Sequence, residues 1–106
     1  MKEGVKFDNG KLQWGLLPIR ETEQVVKVLT KAIQSGKYEA NNWQKVPNAK
    51  ERYEDALMRH YSAWKQGEET DAESGESHLA HLACNVLFLM WLENQEIGEK
   101  IGNEKN

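Results

Sequence analysis

Between Leu79 and Leu92 the chain places only two polar residues, His81 and Asn85, in an otherwise apolar run. The run is longer than an ordinary strand and too short to span a bilayer. Its Ala, Leu and Met content favours helix. Ser77 stands where an N-cap is needed, and Gly98 follows an expected end near Gln95. A helix apolar nearly all round has to be buried, in a bundle or at a subunit interface. The rest of the chain must therefore supply the cover.

Two further helical patterns can do so. Val25, Val28, Leu29, Ala32 and Ile33 share one face of a helix expected from Ile19 or Glu21 to Ser35, entered through Pro18 and left at Gly36. Tyr53, Ala56, Leu57, His60, Tyr61 and Trp64 mark the inward face of a second, from about Asn48 to Lys65. Asn48 is its N-cap candidate, and Gly67 closes it. Residues 1–20 read as an irregular arm, with Asp8-Asn9-Gly10 as a turn and Trp14, Leu16 and Leu17 pinning it to the core. The connection Lys37–Val46 and the acidic stretch Glu68–Glu76 link the helices. No repeat and no strand pattern competes. The expectation is an all-α bundle of three main helices: one domain over residues 1–98, including the arm, and a charged flexible tail over 99–106. So few helices from 106 residues favour a homo-oligomer.

The formal charge of −3 carries no basic excess, which argues against nucleic acid as a partner. No apolar stretch suits a signal peptide or a membrane span. Cys84 stands alone, cannot pair internally and reads as a small buried residue rather than a catalytic thiol. A reducing cytoplasm is the expected home.

His78 and His81 are three apart and share a helix face that Asn85 continues. Burying imidazoles and an amide costs free energy unless partners satisfy them. Arg59 and His60 on the second helix, and Asp71, Glu73 and Ser74 before the third, are the available partners. Imidazole with carboxylate suits a divalent metal, which bundles hold between facing helices. The same residues also suit a satisfied polar cluster that fixes helix register, and spacing leaves both readings open. Arg59 is either a phosphate clamp or a surface cation beside an acidic loop. Lys6, Asp8, Lys11 and Trp14 offer cations beside an aromatic face, and Asn41-Asn42-Trp43 offers amides beside another. Each of these reads as a nucleotide cradle or as a structural anchor. Glu51 and Glu54 form an E-x-x-E pair, but in a first helical turn the helix dipole accounts for them.

Taken together, Lys6-Phe7-Asp8-Asn9-Gly10-Lys11 with Trp14 and Leu16-Leu17-Pro18, Asn41-Asn42-Trp43, Arg59-His60, Asp71 with Glu73-Ser74-Gly75, and His78-x-x-His81-x-x-x-Asn85 resemble a small phage and prophage family. That family is the dATP/dGTP diphosphohydrolase N-terminal domain. The resemblance covers roughly residues 5–93 and lies in the ordered series rather than in any one motif. It implies a helical phage protein acting on purine deoxynucleotides, releasing diphosphate from the triphosphate with a divalent metal (Mg, Mn or Zn). The E-x-x-D helix of better-known all-α nucleotide pyrophosphohydrolases is missing. With the resemblance, His60, His78 and His81 become the expected metal ligands, completed by an acid. Asp71 or Glu73 would orient or deprotonate the attacking water. Lys11 and Arg59 would meet phosphate, Trp14, Asn42 and Trp43 the base, and Asn85 would complete the nucleotide set. The alternative is a non-catalytic phage binder that sequesters a nucleotide or a nucleotide-derived signal.

Overall fold

The computed structural model describes residues 3–36 and 39–105. Residues 1–2, 37–38 and 106, which belong to the expected arm, connection and tail, lie outside the described residues. Three α-helices form: α1 (Ile19–Gln34), α2 (Ala49–Lys65) and α3 (His78–Lys105). Single 3-10 turns at Trp14–Leu16 and Asn42–Gln44 precede α1 and α2. Among the described residues there is no strand, only an isolated bridge between Thr70 and Ser77.

The ends follow local chemistry. Gly36 (φ 75°) and Gly67 (φ 98°) leave α1 and α2 in the left-handed region that glycine tolerates. At the end of α2, Glu68 N–H donates to Ala63 O and Gly67 N–H to Trp64 O, the paired bonds of a Schellman closure. Ser77 caps α3 as its position suggests, its Oγ accepting from Leu79 N–H at 3.1 Å. Asn48 occupies the N-cap position of α2 but makes no side-chain cap bond, because its backbone is left-handed (φ 53°). Gly98 does not end α3. Neither it nor Gly102 has a positive φ, and the helix continues well past Gln95.

α3 is the central element, with α2 and α1 packed on it. Val28, Ala80 and Cys84 are its buried apolar contacts, backed by Val25, Leu29 and Phe88. Cys84 Sγ lies 3.5 Å from the carbonyl of Val25. That core is small. The radius of gyration is 18.3 Å, against about 13 Å for one compact domain of this length.

Two expectations fail here. The arm is not pinned: Trp14 is 73% and Phe7 86% exposed, and Leu16 and Leu17 are exposed as well. Among its described residues the hydrogen bonds are local turns, apart from the Pro18 carbonyl, which accepts from Thr22 N–H at the start of α1. Trp64 and Tyr61 are exposed rather than inward. α2 meets the first residue of α3 at His60, so its last turn overhangs the bundle. No helix among the described residues is long and apolar enough to cross a membrane.

Candidate metal centre and adjoining cavity

The segment between α2 and α3 is stitched into a hydrogen-bonded buckle. Asp71 N–H donates to Glu76 O (2.8 Å), Gly75 N–H to Asp71 O (2.7 Å) and His78 N–H to Glu69 O (3.0 Å). Gly75 takes a left-handed conformation (φ 74°) that closes the turn. The Asp71 carboxylate accepts from Ser74 N–H at 2.9 Å. α1 ties the buckle down: Lys31 Nζ lies 2.7 Å from Glu76 Oε1 and donates to Ser74 O at 2.9 Å. The Asp-x-Glu-Ser-Gly sequence thus sets one carboxylate against the first turn of α3.

Against that turn lies His60 from α2. Its Nδ1 is 2.8 Å from Nδ1 of His78, and its ring stacks on His81 with centroids 4.5 Å apart. His78 is 4% exposed, and its buried Nε2 has no hydrogen-bond partner. Glu68 Oε1 lies 3.5 Å from that nitrogen, close enough for a charge contact but outside hydrogen-bond geometry. His60, Asp71 and His78 each bring a ligand atom into a group in which all lie within 4.8 Å of one another. Two imidazoles and one carboxylate are a donor set that could hold a divalent metal, of the kind used in sites that leave positions open for water or substrate.

His81 is engaged differently. Its Nε2 lies 2.6 Å from Ser74 Oγ and 3.8 Å from Asp71 Oδ2. Ser74 Oγ also accepts from Glu76 N–H. Burial pulls His81 below the ordinary imidazole range, against the opposing charge of Asp71. Burial also lowers His60, helped by its two histidine neighbours. For Asp71, burial pushes upward, but bonds from the Ser74 amide and hydroxyl, with both neighbouring imidazoles, hold the carboxyl below its usual value. Neutral imidazoles beside an ionised carboxylate are the protonation states that metal ligation needs.

A cavity of about 530 Å³ adjoins this cluster. Trp43, Tyr53 and Phe88 form its aromatic wall, and Asn41, Asn42 and Asn85 bring amides. The Trp43 and Phe88 rings stack at 4.6 Å, and Trp91 meets Trp43 edge-on. Tyr53 OH donates to the Trp43 carbonyl. Arg59 lines the cavity while its chain neighbour His60 faces the histidine group. Asn85 is buried, lines the cavity and donates to the backbone carbonyl of His81, one turn earlier on α3, at 2.9 Å.

Of the residues that sequence reasoning selected, the fold gathers His60, Asp71 and His78 in one group, with His81 beside it. It gathers Asn42, Trp43, Arg59 and Asn85 around the cavity. Glu73 is in neither set, although its charge acts on His81. Lys11 and Trp14 are exposed on the arm and line neither compartment. Tyr53, Phe88 and Glu68 were not selected. The first two sit at helical core spacing, which does not separate a cavity wall from a packed core. Glu68 follows Gly67 in an acidic run without distinguishing spacing.

Comparison with known proteins adds two findings. The profile of the family described as "dATP/dGTP diphosphohydrolase, N-terminal" matches residues 1–101. A protein of Salmonella phage PMBT28 named "dATP/dGTP diphosphohydrolase" is 41% identical over 91 residues, which is 86% of this chain and 30% of that relative. The chain therefore spans under a third of the relative's length. No solved structure matches.

Proposed function

Because this chain belongs to the dATP/dGTP diphosphohydrolase N-terminal family, we propose that it acts on a purine deoxynucleoside triphosphate at the histidine group. In the reaction, water attacks phosphorus at the α–β anhydride bond, that bond breaks, and the deoxynucleoside monophosphate and diphosphate separate, one of them carrying the oxygen of the water. The observation that carries the reading is His78: buried, one nitrogen without a hydrogen bond, the other facing His60, and Asp71 alongside. A buried imidazole nitrogen that makes no hydrogen bond is costly unless something ligates it.

In this reading His60, Asp71 and His78 hold one divalent cation. A cation held there would supply neutralisation of phosphate charge and acidification of water. The chain's own groups do the rest. The buckle fixes the Asp71 carboxylate through Ser74 N–H. His81, bonded to Ser74, packs against His60 and holds its ring in place. Arg59, at the boundary between the compartments, meets phosphate oxygens. The exposed line of Leu79, Val86, Met90, Ile97 and Ile101 along α3 supports self-association, which sedimentation equilibrium reads as a mass above 12.2 kDa.

The test is His78→Ala. Calorimetric titration with Mn²⁺ and Zn²⁺ should show binding to the wild type and none to the variant, with helical circular dichroism retained. Chromatography of dATP and dGTP should show monophosphate and diphosphate formed by the wild type alone. Equal metal binding by the variant sinks the assignment. The second reading is sequestration, supported by the cavity. It predicts that bound nucleotide is recovered intact.

A further inference from the structure

The cavity is a separate compartment from the histidine group, and its chemistry is different. A site for a lipid tail has no use for three amides, the guanidinium groups of Arg52 and Arg59, and the carboxylates of Glu39 and Asp55. A site for free phosphate or sugar phosphate has no use for an aromatic wall. The lining suits a flat ring with polar edges, and the volume of about 530 Å³ lies in the range of small-ligand sites. Stacked aromatics give a planar ligand a ready surface.

We propose that this cavity is a nucleoside subsite. The Trp43–Phe88 stack receives the base, and the Asn41, Asn42 and Asn85 amides meet its polar edge. The wall is set before any ligand arrives. Tyr53 holds the Trp43 carbonyl, Phe88 lies against one face of the indole, and Trp91 meets it edge-on. Fixed partners reduce the ordering cost of binding. Asn85 commits its amide nitrogen to His81 O and keeps its oxygen for the ligand.

The placement also gives the ligand a direction. Arg59 and His60 are consecutive on α2, and Asn85 bonds to the His81 carbonyl. The edge of the cavity that carries Arg59 and Asn85 is thus one helical turn from the histidines. A base in the cavity sends the sugar's 5′ side toward that edge. This last point rests on the phosphate chain lying at the histidine group, as proposed above; the subsite itself does not.

The test uses deoxyadenosine and deoxyguanosine, which carry no phosphate, with EDTA present, read by calorimetry or saturation-transfer NMR. Both should bind saturably, and 2-deoxyribose 5-phosphate should not compete. His78→Ala should change nucleoside affinity less than twofold while losing metal binding. Ala56→Phe fills the cavity and should abolish nucleoside binding while Mn²⁺ binding persists. Asn42→Ala removes one amide outside the three α-helices and should weaken binding roughly tenfold. It remains decisive should Ala56→Phe fail to fold. The proposal is overturned if neither nucleoside binds, if binding requires metal, or if Asn42→Ala leaves affinity unchanged. Metal binding lost in His78→Ala without nucleoside binding in the wild type would remove the subsite and keep the metal centre; the reverse would remove the metal centre alone.

Discussion

Residues 3–18 and residues 68–77 are both irregular, both carry charges and glycine, and each contains a tight turn next to residues the sequence marks for chemistry. In the first, Lys11 N–H donates to Asp8 O and Gly10 is left-handed. In the second, Gly75 N–H donates to Asp71 O and Gly75 is left-handed. Their surroundings differ completely. The arm's described bonds stay within a few residues, and Trp14 remains exposed. The second segment bonds to itself across the turn, to the start of α3 and to Lys31 of α1. Turn chemistry shapes a loop; bonds to a helix decide whether its side chains belong to a site.

Substitutions can break or sharpen that contrast. The largest effect is expected at Asp71. Asp71→Ala removes both the carboxylate of the proposed metal group and the acceptor of Ser74 N–H, so calorimetry should show Mn²⁺ affinity falling beyond detection. Loss of a charged hydrogen bond costs about 2 kcal/mol, a drop in Tm of roughly 10 °C by circular dichroism. An unchanged Tm would mean that the buckle does not depend on its carboxylate.

A second, smaller effect is on the pH dependence of Tm. His60 and His81 have native pKa values below the ordinary imidazole value of 6.5. Below pH 6.5 the unfolded chain therefore binds more protons than the native one, and stability falls with acidity. The stabilisation is full above about pH 6.5 and is lost as pH falls toward the lowered native values. Thermal melts from pH 7.5 to 5 should show this decline, and His81→Gln should flatten it. A decline of equal slope in that variant would place its origin elsewhere.

The smallest effect belongs to the arm. Trp14→Ala should change stability by less than about 0.5 kcal/mol and leave Mn²⁺ binding unaltered. A Tm loss of several degrees would show that the arm packs in solution, and the contrast would collapse.

The same contrast explains what was legible in the sequence. The 3.6-residue periodicity of Val25 to Ile33 and of Tyr53 to His60 reports helices directly, because burial acts on every turn. Ser77 announces the start of α3 because the cap is a local bond. His60, His78 and Asp71 could be named together because helix faces and one short buckle bring them close. Periodicity could not give the length of α3, since Gly98 weakens a helix without forbidding it. Nor could it tell which end of α2 overhangs, so Trp64 read as inward. The cavity escaped because its wall, Tyr53 and Phe88, obeys the same spacing as core.

Cys84 has a consequence of a different kind. Its thiol is 3% exposed, lies against the Val25 carbonyl, and has its pKa pushed up to about 11 by burial. At neutral pH it is a protonated sulfur behind a closed door, unreactive toward alkylating reagents. Modification then proceeds only from moments when α1 lifts away from α3. The chain carries a built-in chronometer of that opening, read from the labelling rate relative to that of an unfolded thiol.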